Sequence, residues 1–504
     1  MIASLLPLFV AVPLVAAAVL IVVRNAIVQR VLLVAIPLAV SVAGFALLVW
    51  HTTTPVVAHQ VGGFVPGIAI VFASDSLAAL MLGVTGLISA VSAAYLITTG
   101  EDRYRFVPAL VLLLVTGVNG AVLTGDLFNL FVFIEVMLLP SYALIAVTGS
   151  WRRLGVGRMF VIVNLVTSTI LVMGVGLVYG AAGTVNLAAL AGVAKDHPQA
   201  SLAVAIVVFA LLVKAGVVPV HSWLPRAYPQ TSAGIMALFS GLHTKVGLYA
   251  VYRIYATVYG PRASFEPVLL AVVIVTILVG SLSTFGVRRI RGALAYQMVA
   301  GVGQILIGIV VFTQLSLAAG LFYMVHHMVT MGALIMAAGA IESTYGSGRF
   351  DRLQGLMKRE PLVATIVALG FASLVGLPPT SGLWGKVGLL RGSAESDPTT
   401  AWLLIGTVVA ASIFSLMALQ RVWWEVFFGP PMKRFLPDDP VTARGPRTEI
   451  TDDTRIGLRR AWPALVLIIV SVGLFLGIGV AWPYFVRAAE GLVDVSAWVK
   501  AVLG

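Results

Sequence analysis

The chain has 504 residues, of which 60% are hydrophobic and 10% charged, with a net charge of +12 and no cysteine. A soluble chain carries about 25% charged residues, so a fully water-exposed surface is excluded, as are disulfides, thiolate chemistry and Cys-ligated zinc or iron–sulfur sites. The positive charge lies in short loops between apolar runs, where it reads as membrane topology rather than nucleic-acid binding.

Apolar runs of the roughly 20 residues needed to cross a bilayer recur from end to end. The first, "MIASLLPLFVAVPLVAAAVLIVV", lacks a basic start and is long for a signal-peptide core, so it reads as a first span. Windows at 3–23, 31–50, 69–98, 106–124, 127–148, 159–181, 200–219, 231–258, 265–287, 292–313, 315–343, 361–392, 400–428 and 462–486 predict an all-α polytopic membrane protein of about fourteen transmembrane helices.

Loops after odd-numbered spans are basic: "RNAIVQR", "EDRYR", "WRRLGVGR", "PRAYP", "VRRIRG", "GRFDRLQGLMKRE" and the long polar stretch of about 429–461. Loops after even-numbered spans are nearly free of Lys and Arg. The positive-inside rule then puts the odd loops, including that linker, in the cytoplasm and both termini outside. The seventh span breaks at "VVPVHSWLP" and the twelfth at "VGLPPTSGLWGK". Five spans separate them, an odd offset, so the two broken units face opposite ways, as in inverted-repeat transporters.

An ionisable side chain at the bilayer centre costs about 2.5–3.5 kcal/mol on insertion scales and persists where it meets a partner or a hydrated path. In chain order the candidates are Glu135 in the fifth span, Lys214 in the seventh, His243 and Lys245 in the eighth, His326 and His327 in the eleventh, and Lys386 in the twelfth. Bland roles compete with functional ones. Asp126 and Asp75 stand where helix N-caps are expected; Glu342 and Glu425 lie near span ends, the latter four residues from Arg421. His243 fits a satisfied core histidine, and Lys245 could snorkel to an interface. Glu135 has about ten apolar residues on each side and cannot snorkel. Lys214 and Lys386 sit beside the breaks, where freed carbonyls and water can solvate an ammonium. A Glu135–Lys214 pair would act as a switch, since neutralising either partner changes the other's proton affinity. Histidines, titrating near neutrality, extend such a path.

"GDLFNLFVFIEVMLLPSYAL", "LLVKAGVVPVHSWLPRAYPQTSAG", "GLHTKVGLYAVYR" and "GLPPTSGLWGK" resemble the antiporter-like subunits shared by respiratory complex I, membrane-bound hydrogenases and Mrp-type cation/proton antiporters. The likeness covers about residues 70–430, and the first motif is most similar to the D-type components of Mrp antiporters. It implies N-terminal helices 1–3 in 1–105, two inverted five-helix units in 106–258 and 259–428, a linker in 429–461, and a last helix with a C-terminal segment in 462–504. It implies a proton pathway of Glu135, Lys214, Lys245, His243, His326, His327 and Lys386. Where relatives often carry a lysine after the histidines of the eleventh helix, "YMVHHMVTMGALIM" has Met331. His326, His327 or water must then bridge the centre.

The expected function is proton translocation in a multisubunit Na⁺/H⁺ antiporter of the bacterial cell membrane, in a complex with other Mrp subunits and with H⁺ and Na⁺ (Li⁺ and K⁺ as variants) as cargo. No cofactor, metal or nucleic acid is expected, and no Walker sequence is present. The alternative is a proton-pumping subunit of an NADH–quinone oxidoreductase or hydrogenase, which differs in the driver. A membrane transferase is disfavoured: the acidic clusters "PDDP" and "TDDT" fall in the polar linker. Buried lysines in series also argue against a passive cation channel.

Overall fold

The computed structural model describes residues 2–65, 67, 70–147, 151–261, 265–435, 448–451 and 453–504, and for 151–153 the backbone alone. Each of the fourteen predicted windows holds a helix. These are α1 Leu8–Val22, α2 Ala26–Trp50, α3 Ser76–Thr99, α4 Val107–Leu123, α5 Leu127–Ala146, α6 Trp151–Ala182 and α7 Pro198–Ala215, which resumes after a break as Trp223–Ala227. Then follow α8 Ala233–Val258, α9 Glu266–Ser283, α10 Ile290–Val311, α11 Gln314–Tyr345, and α12 Pro361–Val375, which resumes as Gly382–Ser393. The chain ends with α13 Pro398–Phe427, α14 Leu458–Leu476, α15 Ile478–Val493 and α16 Ser496–Leu503. Among the described residues, 11 helices are long and apolar enough to cross a membrane, while α4 and the first half of α12 are apolar but shorter.

Local chemistry sets the helix starts. Asn25, Asp75, Asp126, Ser232 and Asp397 each accept a backbone N–H of the first turn of α2, α3, α5, α8 and α13, and Thr313 with Ser316 forms a capping box on α11. The N-cap roles expected for Asp75 and Asp126 are therefore observed. Arg421 and Glu425 pair at 2.8 Å on α13, as their spacing suggests.

Three boundaries differ from the sequence reading. The third window does not begin as helix: Val71–Asp75 is a strand, β2, paired antiparallel with β1, Val56–Gln60. Asp75 ends the strand and caps α3, so the apolar residues before it belong to the hairpin. The window at 462–486 covers two helices, because the chain leaves the helical path at Gly477 between α14 and α15. α14 also begins at Leu458, inside the predicted linker. Of that linker, Arg434–Phe435 (β3) pairs with Thr448–Glu449 (β4), whereas "PDDP" and Asp452 of "TDDT" lie outside the described residues.

The helices surround α11, which is buried from Ser316 to Ile341. It packs on α8 and α10 on one side and on the second half of α12, α14 and α15 on the other. α1 and α2 instead keep broad apolar faces exposed, as lipid-facing helices do.

Candidate functional site

The two helix breaks are built alike. α7 ends at Gly216 and the first half of α12 at Gly376, both with positive φ (84° and 97°), the conformation that closes a helix end. At the first break the Leu212 carbonyl accepts from Gly216 and Val217 N–H; at the second the Ala372 carbonyl accepts from Gly376 and Leu377 N–H. Trp223 Nε1 donates to the Val213 carbonyl at 3.2 Å. The Leu212, Val213 and Ala372 carbonyls at the two breaks are thus taken by local N–H groups. Neither lysine has a hydrogen bond to them.

Lys214 lies in the last turn before the first break, 2% exposed, with no hydrogen-bond partner for Nζ. Lys386 lies beyond the second break and donates to Ser412 Oγ of α13 at 2.7 Å. Glu135 is half-buried on α5, with Oε1 enclosed and unbonded. No hydrogen bond joins Glu135 to Lys214, although the glutamate's charge reaches the lysine through space. The expected switch pair is therefore a separated pair in this structure.

His243 on α8 is held from both sides. Ser141 has a single proton and spends it on the Met137 carbonyl at 2.6 Å, so its oxygen accepts from His243 Nε2–H at 2.8 Å. Nδ1 is left to accept from Tyr228 at 3.4 Å, and the ring stacks on Phe239 with centroids 4.3 Å apart. Lys245, two residues on, is completely buried and donates to Thr244 Oγ1 at 3.1 Å. It does not snorkel.

On α11, His326 Nδ1 faces a hydroxyl cluster. Ser381 lies at 2.9 Å, Thr330 at 3.3 Å and Ser373 at 3.4 Å, and Ser471 of α14 bonds Ser381 at 2.8 Å. His327 points the other way, towards α10, with neither ring nitrogen hydrogen-bonded. It fits because Gly301 has no side chain: a methyl there would stand 2.1 Å from Nε2. Met331 is fully buried one turn further on. The charges of Lys214, Lys245 and Lys386 reach His243, His327 and His326 respectively. The seven residues thus fall into two groups within electrostatic reach of one another: Glu135, Lys214 and His243 on α5, α7 and α8, and Lys245, His327, His326 and Lys386 on α8, α11 and α12.

Sequence reasoning missed four ion pairs among the described residues, two of them, Arg30–Asp102 and Arg349–Asp351, at loop ends. Arg253 Nη2 meets Asp75 Oδ1 at 2.7 Å, both side chains buried, and Arg291 Nε bridges the two oxygens of Glu342 at 2.9 and 2.8 Å. The first joins residues 178 apart, a separation no local pattern reports. The available signal was position: Arg253 stands eight residues after Lys245, on the same face of α8.

A sequence profile for the transmembrane region described as NADH:quinone oxidoreductase/Mrp antiporter matches residues 124–415. The D-type component of the Na(+)/H(+) antiporter of Bacillus subtilis (strain 168) is 32% identical over 453 residues, 88% of each chain. The component of the same name in Alkalihalophilus pseudofirmus is 29% identical over 454 residues, again 88% of each. Among solved structures, a chain of the Mrp complex from Dietzia sp. DQ12-45-1b superposes with a TM-score of 0.94 at 41% identity over 100% of both chains. A chain of the membrane-bound sulfane sulfur reductase, an archaeal respiratory membrane complex, gives 0.87 at 26% over the same full lengths. Respiratory complex I from Thermus thermophilus, at 24% identity and 0.77, shares the fold. The chain belongs to the NADH:quinone oxidoreductase/Mrp antiporter family of membrane proteins.

Proposed function

We propose that this chain is the proton-translocating subunit of a hetero-oligomeric Na⁺/H⁺ antiporter in the bacterial cell membrane. It is a transporter subunit rather than an enzyme, with the basic loops cytoplasmic and both termini outside. The observation that carries this is the row of buried ionisable groups, Lys214–His243 and Lys245–His327–His326–Lys386, strung through the membrane interior and centred on a helix with no lipid-facing side. Isolated buried charges are costly; a series of them within electrostatic reach gives a proton successive resting places. Glu135 sets the charge balance at one end. Lys214, Lys245 and Lys386 hold protons in turn. His243, His326 and His327 pass them on, and the two histidines of α11 take the place of the lysine found in relatives near Met331.

The same row would serve a redox-driven pump, a reading favoured by the likeness to the sulfane sulfur reductase chain. The sodium path lies outside this row: its members are nitrogen bases apart from Glu135, and Na⁺ needs several oxygen ligands. Partner subunits would supply it. The two readings separate in everted vesicles from antiporter-deficient cells expressing the whole gene cluster, by following dissipation of ΔpH on adding Na⁺. Lys214→Ala and Glu135→Ala should assemble normally on native gels and lose Na⁺-dependent proton movement. Normal exchange by the assembled variants would overturn the proposal; proton pumping driven by quinone reduction, indifferent to Na⁺, would favour the redox reading.

A further inference from the structure

A second set of charges lies two turns along α8 from the row. Lys245, Tyr249 and Arg253 share one face at spacings of four residues, so Arg253 stands roughly 12 Å along the axis from Lys245. The Arg253 guanidinium is buried between the Tyr249 and Trp498 rings, 5.8 and 5.3 Å from their centroids. Its Nη2 bonds Asp75 Oδ1, which also caps α3 through Ala78 N–H at 2.9 Å; Nη1 is buried with no partner. Asp75 Oδ2 makes none of these bonds and lies 4.0 Å from where a methyl on Gly491 would stand. It borders a cavity of about 320 Å³ lined by His51, Asp75, Arg487, Glu490, Asp494 and Trp498, among others. Two larger cavities, at α1–α2 and at α3–α11–α14, are lined almost wholly by hydrocarbon side chains. The polar one has room for several waters and lies beside the loop after α2, on the face expected outside.

We propose that this cavity is the outer mouth of the proton row, and that the Arg253–Asp75 pair is the gate between it and Lys245. The proposal rests on the proton-row reading above. With Asp75 balanced by Arg253, Glu490 and Asp494 against Arg487 still leave the cavity wall net acidic, which favours cations over anions. An arginine does not give up its proton, so Arg253 carries nothing; its charge bars cations from Lys245 unless Asp75 balances it. Asp75, with one oxygen on Arg253 and the other towards the cavity, senses the proton arriving from outside without being an obligatory carrier of it. Protonation weakens its hold on Arg253, and the freed charge favours release of the proton held by Lys245. The gate thus couples the two sites without opening a continuous water path.

The absence of cysteine in this chain makes the mouth directly testable. Ala497, on the cavity wall, is replaced by cysteine in the full complex, and a cationic, membrane-impermeant methanethiosulfonate is applied to each side in turn. From the outer side it should cut Na⁺-driven exchange by Ala497→Cys about tenfold relative to the untreated variant, by placing a fixed positive charge in the mouth. Thr53→Cys, exposed outside the cavity, and the unsubstituted complex should keep their rates. Full modification of Ala497→Cys with no change in rate, or no modification from either side, overturns the mouth. Lys214→Ala runs in parallel: normal exchange there overturns the proton-row reading, whereas its loss alongside an insensitive Ala497→Cys overturns this inference alone. The gate has its own readout. Asp75→Asn leaves the arginine unbalanced and should slow exchange about tenfold; adding Arg253→Gln should restore most of it. An assembled double variant as slow as the single one overturns the gate, and should the double variant not assemble, the labelling result decides.

Discussion

Gly301 and His327 are matched by omission: the imidazole occupies the space a β-carbon on α10 would take, 2.1 Å from Nε2. Gly301→Ala should displace the ring and cost about 1–3 kcal/mol through overpacking. If His327 links Lys245 to Lys386, the assembled variant loses Na⁺-dependent proton movement, while Gly176→Ala on α6, with open space around it, keeps it. Vesicle exchange and thermal melting separate the two effects. His51, just past the end of α2, makes a prediction about stability. Burial holds it below the usual imidazole range, against the opposing pull of the Thr54 carbonyl and the Asp75 charge. It folds neutral, with Nδ1–H donating to Thr54 O at 2.8 Å and Ser74 Oγ–H donating to Nε2 at 2.9 Å. The unfolded chain takes up this proton as the pH falls through about 6.5, whereas the folded chain resists until lower pH. Stability from this site is therefore complete above that value and declines on acidification. Melting of the purified protein at pH 7.5 and pH 5.5 should show the decline, and His51→Gln, which can keep both bonds, should reduce it.

At the scale of elements, the breaks in α7 and α12 are where backbone geometry and charge meet. Gly376 sits at φ 97°, and a methyl there would stand 2.8 Å from Lys386 Cδ. Gly376→Ala should destabilise by about 1–3 kcal/mol from backbone strain and also shift the lysine off Ser412. Exchange should therefore fall further than melting alone explains, with residual activity per assembled complex as the measure. Both breaks were legible because Pro and Gly interrupt otherwise uniform apolar runs, and the fourteen windows were legible because a bilayer demands length. What was not legible follows from what windows ignore. "VFASD" is as apolar as a helix lead-in, so β2 merged into the third span until its pairing with β1 became visible. Gly477 divides α14 from α15 without any polar residue to mark it. Lys214 sits where the sequence placed it, beside a break, and which carbonyls the break leaves near it was not legible: those of Leu212 and Val213 are claimed by nearby N–H groups. Partnerships such as Arg253–Asp75 and Ser471–Ser381 join residues 178 and 90 apart and exist only in the packed bundle.

For the whole molecule, the distribution of burial sets the division of labour. The exposed apolar faces of α1 and α2 deal with lipid, while the ionisable groups gather where three or more helices meet. Ion pairs hold that arrangement together: the buried Arg253–Asp75 ties α8 to the start of α3, and the partly buried Arg291–Glu342 ties α10 to α11. Removing one partner leaves the other charge only partly solvated, so Arg291→Ala should cost about 1–3 kcal/mol and lower the yield of assembled complex, read by native gel and thermal melting.

The complete enclosure of α11 also has a consequence for biosynthesis. Its walls include α14 and α15, which the ribosome delivers more than a hundred residues after it. Until then one side of α11, with His326 beside it, lacks its native cover, and the nascent bundle must be shielded by lipid, insertase or chaperone. A chain stopped at residue 457 should therefore insert but be degraded rapidly, and a pulse-chase comparison with the full chain would reveal the arrival of α14 to α16 as the step that commits the protein to survival.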